Sequence, residues 1–430
     1  TSLGDLTDTV DLAINGGVAL NLLSGVLVAK GSFKVQLGTT VELGADGEAD
    51  GPVATDPSQD DTSYSAMILT LGANAYDGAT AVQVFIGAGG ALEDNPQAVG
   101  DPPAPTPTDF SDDEINVDGA LGFKATLDDL SLVMLKNDNG TPTNAADDKS
   151  YMGLEISGLS AQLVGIDGLT MAVFDVGLKL NKASDGDTNP SNDPAPLTWT
   201  SFFGNPAGLK PTVVPNVDTG VSIEAQGSLV LDAFGVLVAK GSFKIELGTT
   251  IDKGADGVVD GPTESDPTQD DTVYSTMALT LGSTAFTGAT AVQVFIGVDG
   301  SLKDVDGDTD INDPSTYSDD IVDVSAGLGF YASLDELSLV TLKNDNGTPT
   351  NAADDKSYMG LEISGFSAQL VGIDGLTMAV FDVGLKLNKA SDGDTNPSND
   401  PAPLNWTSFF GNTAGLKPTV VPNVDNGVSI

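Results

Sequence analysis

Leu27-Val-Ala-Lys-Gly-Ser-Phe-Lys-Val-Gln-Leu37 decides the fold class. Its odd positions are Leu27, Ala29, Gly31, Phe33, Val35 and Leu37, and its even positions include Lys30, Ser32, Lys34 and Gln36. Alternation with period two puts an apolar row and a polar row on opposite sides of an extended chain. The odd row is therefore expected to be buried and the even row wet, as in an antiparallel strand. Ala172, Phe174, Val176, Leu178 and Leu180 alternate with Asp175, Gly177 and Lys179 in the same way. Leu154 and Ile156 set one phase, and Leu159, Ala161 and Leu163 set the other. The slip falls at Gly158, where a β-bulge or bend would re-aim the faces. No apolar stripe of period 3.6 with caps is sustained, so helix content is expected to be low.

Working outward, the chain repeats itself. Gly25–Lys34 matches Gly235–Lys244, and Leu135–Tyr151 returns letter for letter as Leu342–Tyr358. From there to Ile430 the second copy departs from the first only at Phe366, Asn405, Thr413 and Asn426, against Leu159, Thr198, Pro206 and Thr219. The offset is 210 residues early in the unit and 207 from Leu121 onward, the difference falling within Gly90–Ala120. Near-identical tandem units are the mark of an array. Thr1–Ala13 matches Pro211–Ile223 poorly, as a cap or a diverged unit would. Within each unit, Gly288–Gly297 resembles Gly375–Gly384, which suggests four half-units at residues 1–117, 118–220, 221–324 and 325–430. The expected fold is all-β: tandem antiparallel β-sandwich-like modules in an elongated array, with a stacked β-solenoid as the alternative.

Composition excludes several functions. The 430 residues carry 62 Asp plus Glu against 17 basic residues, all Lys, for a net charge of −45. Nucleic-acid phosphates and anionic lipids would repel such a chain. With no His, Cys or Arg, it lacks the usual general base, thiol chemistry and the bidentate phosphate clamp, which argues against an enzyme. No apolar run approaches the length of a membrane span. Thr1–Gly17 shows neither a basic n-region nor an apolar h-region, so no signal peptide is expected there.

The acidic residues gather in loops of four families. The first is Asp46, Glu48, Asp50, Asp56, Asp60 and Asp61, matched by Asp256, Asp260, Asp266, Asp270 and Asp271. The second is Asn137, Asp138, Asn139, Asp147 and Asp148, matched by Asn344, Asp345, Asn346, Asp354 and Asp355. The third is Asp185, Asp187, Asn189 and Asp193, matched by Asp392, Asp394, Asn396 and Asp400. The fourth is the single run Asp304, Asp306, Asp308, Asp310 and Asp313. Two carboxylates ~4 Å apart repel by roughly 4 kcal/mol at an effective dielectric of ~20, so crowded loops need counterions. Alternating oxygen ligands suit Ca²⁺, which takes six to eight hard oxygens. Asp185-x-Asp187-x-Asn189 and Asp304-x-Asp306-x-Asp308 have the opening spacing of an EF-hand loop but lack its later Gly and Glu. The same residues are also ordinary turn formers on an acidic surface. Trp199 and Trp406, in matched Trp-Thr-Ser-Phe-Phe-Gly segments, read as core rather than as a sugar platform.

Tandem β-modules that are acidic, without Cys and with Asp-rich loops resemble the extender regions of large calcium-dependent bacterial surface adhesins and other repetitive secreted proteins. The resemblance covers the whole chain in style. It implies Ca²⁺ at loops and linkers that stiffens an array, copies or repeats joined end to end, a cell-surface location, and a glycan or surface target at a tip outside this chain. The glycine-rich nonapeptide of the toxin-repeat β-roll is missing. The expected function is that of a structural repeat protein in an extracellular filament, adhesin stalk or matrix fibre. The alternatives are a carbohydrate-binding adhesin module, which needs Trp199 or Tyr151 on a wet concave face, and a surface-layer lattice protein.

Overall fold

A computed structural model describes residues 9–43, 61–93, 110, 113–141, 143–187, 193–204, 206–255, 257–259, 271–305, 314–345, 354–394, 396 and 398–425. The fold is all-β and antiparallel, and its two α-helices span only four and six residues among the described residues. No helix is long and apolar enough to cross a membrane among them. The chain divides into two compact units, Thr1–Ile166 with Val176–Thr219, and Asp167–Asp175 with Gly220–Ile430. The expected half-unit boundaries at 117/118 and 324/325 lie inside these units.

In unit 1 the strands are β1 (Val10–Leu22), β2 (Leu27–Glu42), β3 (Thr62–Gly72), β4 (Val82–Ala88), β5 (Ala91–Glu93), β6 (Glu114–Asn116), β7 (Leu121–Asn137) and β8 (Lys149–Val164). β9 (Leu169–Asp185) follows, its residues from Val176 belonging to this unit, and then α1 (Trp199–Phe202) and β10 (Pro206–Gly208). β1 pairs with β2. β2 meets β4 through Leu27–Lys30 and β3 through Phe33–Glu42. β7 meets the same two strands, so β3 and β4 lie end to end in one position between β2 and β7. β8 pairs along the full length of β7, and β5 and β6 form a separate hairpin.

Unit 2 repeats the plan. Its strands are β11 (Val221–Ala233), β12 (Leu237–Asp252), β13 (Thr272–Gly282), β14 (Val292–Val298), β15 (Ser301–Lys303), β16 (Ile321–Asp323), β17 (Leu328–Leu334), β18 (Glu336–Asn344), β19 (Lys356–Val371), β20 (Met378–Asp392) and β21 (Thr413–Gly415), with α2 at Trp406–Gly411. The row Phe33↔Leu71↔Leu130↔Ile156 of unit 1 recurs as Phe243↔Leu281↔Leu337↔Ile363. β11 takes the place of β1: Val221 opposes Gly248 as Val10 opposes Gly38. Val10–Ala13 of the poorly matched opening sequence thus belong to the same strand.

The expected bend is present. Gly158 and Gly365 have φ +62 and +63, and a Cβ on Gly158 would sit 2.0 Å from an Asp128 carboxylate oxygen. Beside Gly365, the β19–β20 register shifts between Ile363 and Phe366.

The structure reverses the expected facing of β2. Its even row is covered, with Val28, Lys30, Ser32, Gln36 and Thr40 all buried, while Leu27, Ala29, Phe33, Val35 and Leu37 are only half-buried. Thr40, Lys30 and Ser32 can be buried because later segments satisfy them, whereas Gln36 Oε1 meets no hydrogen-bond partner among the described residues. Thr40 Oγ1 donates to the Leu209 carbonyl at 2.7 Å, Lys30 Nζ donates to the Asp113 carbonyl, and Ser32 Oγ lies 3.2 Å from Tyr76 Oη. A buried polar atom with a partner loses little relative to water. The expected single face from Ala172 to Leu180 is likewise broken. Asp175 has φ +52, and burial passes from Ala172 and Phe174 to Asn181, leaving Leu178 and Leu180 half-buried.

The cores lie on this covered face. In unit 2, Tyr274, Ala278, Val340, Leu342 and Tyr358 from the strands meet Trp406, Phe409 and Phe410 of the helical turn. A second cluster joins Val28, Phe85, Ile115, Val117 and Ala120 in unit 1, with Val238, Phe295 and Val322 as its counterpart in unit 2. Gly153 and Gly360 admit the indoles: a Cβ on Gly153 would lie 2.4 Å from Trp199 Cε2.

Candidate functional site

The acidic loops begin where the strands stop. Of the anticipated ligands, Asp46, Glu48, Asp50, Asp56, Asp60, Asn189, Asp256, Asp260, Asp266, Asp270, Asp306, Asp308, Asp310, Asp313 and Asn346 lie outside the described residues. Asp61 and Asp271 stand one residue before β3 and β13, each 5% exposed.

In the second loop family the carboxylates meet protein partners. Asp148 pairs with Lys136 at 2.7 Å, and Asp355 with Lys343 at 2.9 Å. The hydrogen bond that the Lys136 ammonium donates to Asp148 holds it above its ordinary pKa. Asp147 accepts from Thr141 Oγ1 at 2.7 Å, Asp138 from the Gly140 N–H at 3.0 Å, and Asn137 from the Asn139 N–H at 2.9 Å. Asn344 donates to the Val273 carbonyl at 2.8 Å, and Asp345 and Asp354 flank the same loop in copy two.

The third family curls through successive Asx turns. Asp392 accepts from the Asp394 N–H, Asp394 from the Asn396 N–H, and Asn396 from the Ser398 N–H. Asp400 closes the loop by accepting from the Asp392 N–H at 3.1 Å. Asn399 Nδ2 bridges Asp392 and Asp394 at 2.8 and 3.0 Å. That amide, followed by the Asn396 N–H, holds the Asp394 carboxyl below its ordinary pKa. Asp185, Asp187 and Asp193 begin the same pattern in copy one.

One acidic group converges from separate segments. Oxygens of Asp304, Asp319 and Asp320 lie within 4.8 Å of one another. Asp320 is buried, and its carbonyl, with that of Ser318, receives the ammonium of buried Lys240. Desolvation lowers the Lys240 pKa, while the charges of Asp320 and Asp319 raise it. Three carboxylates and one ammonium thus share this corner of unit 2, and clustered carboxylate oxygens are the ligand type that hard cations take. Sequence reasoning named Asp304 and missed Asp319 and Asp320. Their pairing just after the Asp-rich run, matched by Asp112 and Asp113, was the available signal.

The aromatic platform is not formed at the residues that a glycan-binding head would use. Trp199 and Trp406 are 0% exposed and Tyr151 is buried. Each indole N–H donates to a buried amide, Trp199 to Asn181 at 3.0 Å and Trp406 to Asn388 at 3.1 Å. Burial raises the pKa of Tyr151.

The other sheet face is apolar and accessible. In unit 1 it carries the rows Leu12↔Leu37↔Met67↔Met134↔Met152 and Ile14↔Val35↔Leu69↔Leu132↔Leu154. Leu12, Ile14 and Met134 are exposed. A depression of ≈560 Å³ runs past Leu37, Met67, Met134 and Met152. A contiguous accessible apolar face of this kind marks a contact surface.

A comparison of the chain with protein families, with curated proteins and with solved structures gave no match in any of the three.

Proposed function

We propose that this is a structural repeat protein of an extracellular filament, adhesin stalk or matrix fibre, with Ca²⁺ held in its acidic loops. One observation carries the reading: a unit of about 210 residues is built twice with the same strand register, as the paired rows from Phe33 and Phe243 record. Like units in series suit a chain whose task is to span distance. The convergence of Asp304, Asp319 and Asp320 supports the calcium part. The Asx-turned loop Asp392–Asp400 supports it too, since its backbone already curls around carboxylates. The ion would cancel loop repulsion and stiffen the joints between strands.

The test is thermal melting and electron microscopy with Ca²⁺ and with EGTA. A site of Kd ~10⁻³ M adds about 1.4 kcal/mol at ~10 mM ion. Melting temperature should therefore rise with Ca²⁺, and Asp304→Asn with Asp319→Asn should remove part of the gain. An identical melt and identical particle length in EGTA would refute it. A surface-layer lattice is the second reading, favoured by the accessible apolar sheet face, which offers lateral contacts. It would appear in micrographs as a two-dimensional sheet.

A further inference from the structure

The nonapeptide Asp-Gly-Leu-Thr-Met-Ala-Val-Phe-Asp occurs at 167–175 and again, unchanged, at 374–382. The two occurrences have opposite fates. The first belongs to unit 2. There Ala172 and Phe174 pack with Val230 in a core cluster backed by Leu302 and Tyr317, and Phe174 is 1% exposed. β11 is paired with β12 and with β9, and the Phe234 N–H donates to the Gly168 carbonyl at 2.7 Å. In the second occurrence the whole segment is exposed, and Phe381 is 80% exposed. Identical chemistry is core in one place and bare in the other.

Unit 1 holds the matching vacancy. Register places Ala19 of β1 opposite Lys30, as Val230 of β11 stands opposite Lys240. Gly17 stands opposite Ser32 as Ser228 stands opposite Ser242. Phe110 occupies the sequence position of Tyr317, both followed by Ser-Asp-Asp. Around these residues lies a cavity of ≈260 Å³, lined by Gly17, Ala19, Lys30, Tyr76 and Phe110 among others. Phe110 is 52% exposed. Two of the equivalents in unit 2, Val230 for Ala19 and Tyr317 for Phe110, are among the residues that pack with Ala172 and Phe174.

We infer that Asp374–Asp382 of one copy docks on β1 of a second copy, adding a strand to its outer edge and seating Phe381 in the cavity at Gly17, Ala19 and Phe110. The interface is heterologous: donor and acceptor are different surfaces, so each copy keeps one of each and growth is open-ended. Main-chain pairing along an edge supplies affinity and the aromatic knob supplies register. This inference rests on the filament reading and gives that filament its joint. It also gives the exposed, apolar strand end a cover: its complement is on the next molecule.

Sedimentation velocity of the full chain at about 100 μM, where a micromolar interface is populated, tests it with two variants. Phe381→Glu spoils the donor, and Phe381 is too exposed for the change to disturb its own unit. Gly17→Glu spoils the acceptor, and a Cβ there meets nothing closer than 3.7 Å. The wild type should form a concentration-dependent ladder of oligomers. Each variant alone should remain monomeric, with association weakened by about 30-fold or more, as for an interface hot spot. Mixed in equal amounts, the two should give a 1:1 dimer and nothing larger, because only one good donor and one good acceptor remain. Unchanged far-ultraviolet circular dichroism confirms that both variants fold. A monomeric wild type overturns the inference, and so does a ladder that survives both substitutions. The second result would leave the filament reading standing on some other contact, whereas failure of the calcium test would leave this joint untouched.

Discussion

Asn388 offers the sharpest test of how the helical turn is held to the sheet. Its amide is 1% exposed and makes three hydrogen bonds. Oδ1 accepts from Trp406 Nε1 at 3.1 Å, and Nδ2 donates to the carbonyls of Leu404 at 2.8 Å and Asp425 at 2.9 Å. Asn388→Ala leaves a buried indole N–H unpaired, at a cost of about 1–3 kcal/mol, and removes two further bonds of about 0.5–1.5 kcal/mol each. Half-buried Leu404 and exposed Asp425 recover part of their loss from water, so about 3 kcal/mol is expected. In a Trp199→Phe background the remaining indole reports unit 2 alone. With a urea m-value of about 3 kcal/mol/M, the midpoint should fall by about 1 M. Asn388→Asp should be similarly damaging, because a carboxylate edge would face two carbonyl oxygens. A midpoint shift below about 0.2 M in both variants would refute the view that this amide ties the Trp-Thr-Ser-Phe-Phe turn to the strands.

Other expectations follow from the same geometry. Gly153→Ala would drive a methyl into Trp199 and should cost about 1–3 kcal/mol through overpacking, seen as a lower unfolding midpoint for unit 1. Lys136→Met removes an ion pair whose lysine is 58% exposed and should leave the unfolding midpoint of unit 1 almost unchanged, whatever its short distance suggests. Burial is the leading cause that raises the pKa of Tyr64, Tyr151, Tyr274, Tyr317, Tyr331 and Tyr358. Above pH ~10 the unfolded chain sheds phenolic protons that the folded chain keeps, so this stability is complete below pH ~10 and declines as pH rises through the folded values. Each such phenol contributes a slope of up to about 1.4 kcal/mol per pH unit. Buried Lys240, lowered by desolvation, acts in the opposite sense up to pH ~10.5, where its unfolded form also deprotonates. Phenolate absorbance should therefore appear together with the loss of β-sheet circular dichroism. Phenolate forming near pH ~10 at all six of these tyrosines with the sheet intact would contradict it.

Much of the acidic-loop geometry was open to sequence reasoning, because Asp and Asn at alternate positions cap their own neighbours' N–H groups through local bonds. The Asp392–Asp400 loop is of that kind. The cluster of Asp304 with Asp319 and Asp320 was not, since it joins segments fifteen residues apart around a lysine from β12. Single changes between the copies also acted locally. Asn405, where copy one has Thr198, accepts from the Ser408 N–H at 3.0 Å, and α2 runs to six residues against four in α1. No spacing rule could have separated the two occurrences of the Phe174 nonapeptide, because their sequences are identical.

Alternation dictated which side chains share a face, and glycine dictated where the face turns, since both depend on backbone geometry within a few residues. Which face would be roofed was decided elsewhere. The polar row of β2 is the buried one because Leu209, far along the chain, and the segment around Asp113 bring carbonyls to Thr40 and Lys30. Hydrophobicity alone favours burying Phe33, Val35 and Leu37. Partnered polar groups remove the penalty that would have opposed the other choice, and only the folded path of the distant segments shows that the partners arrive.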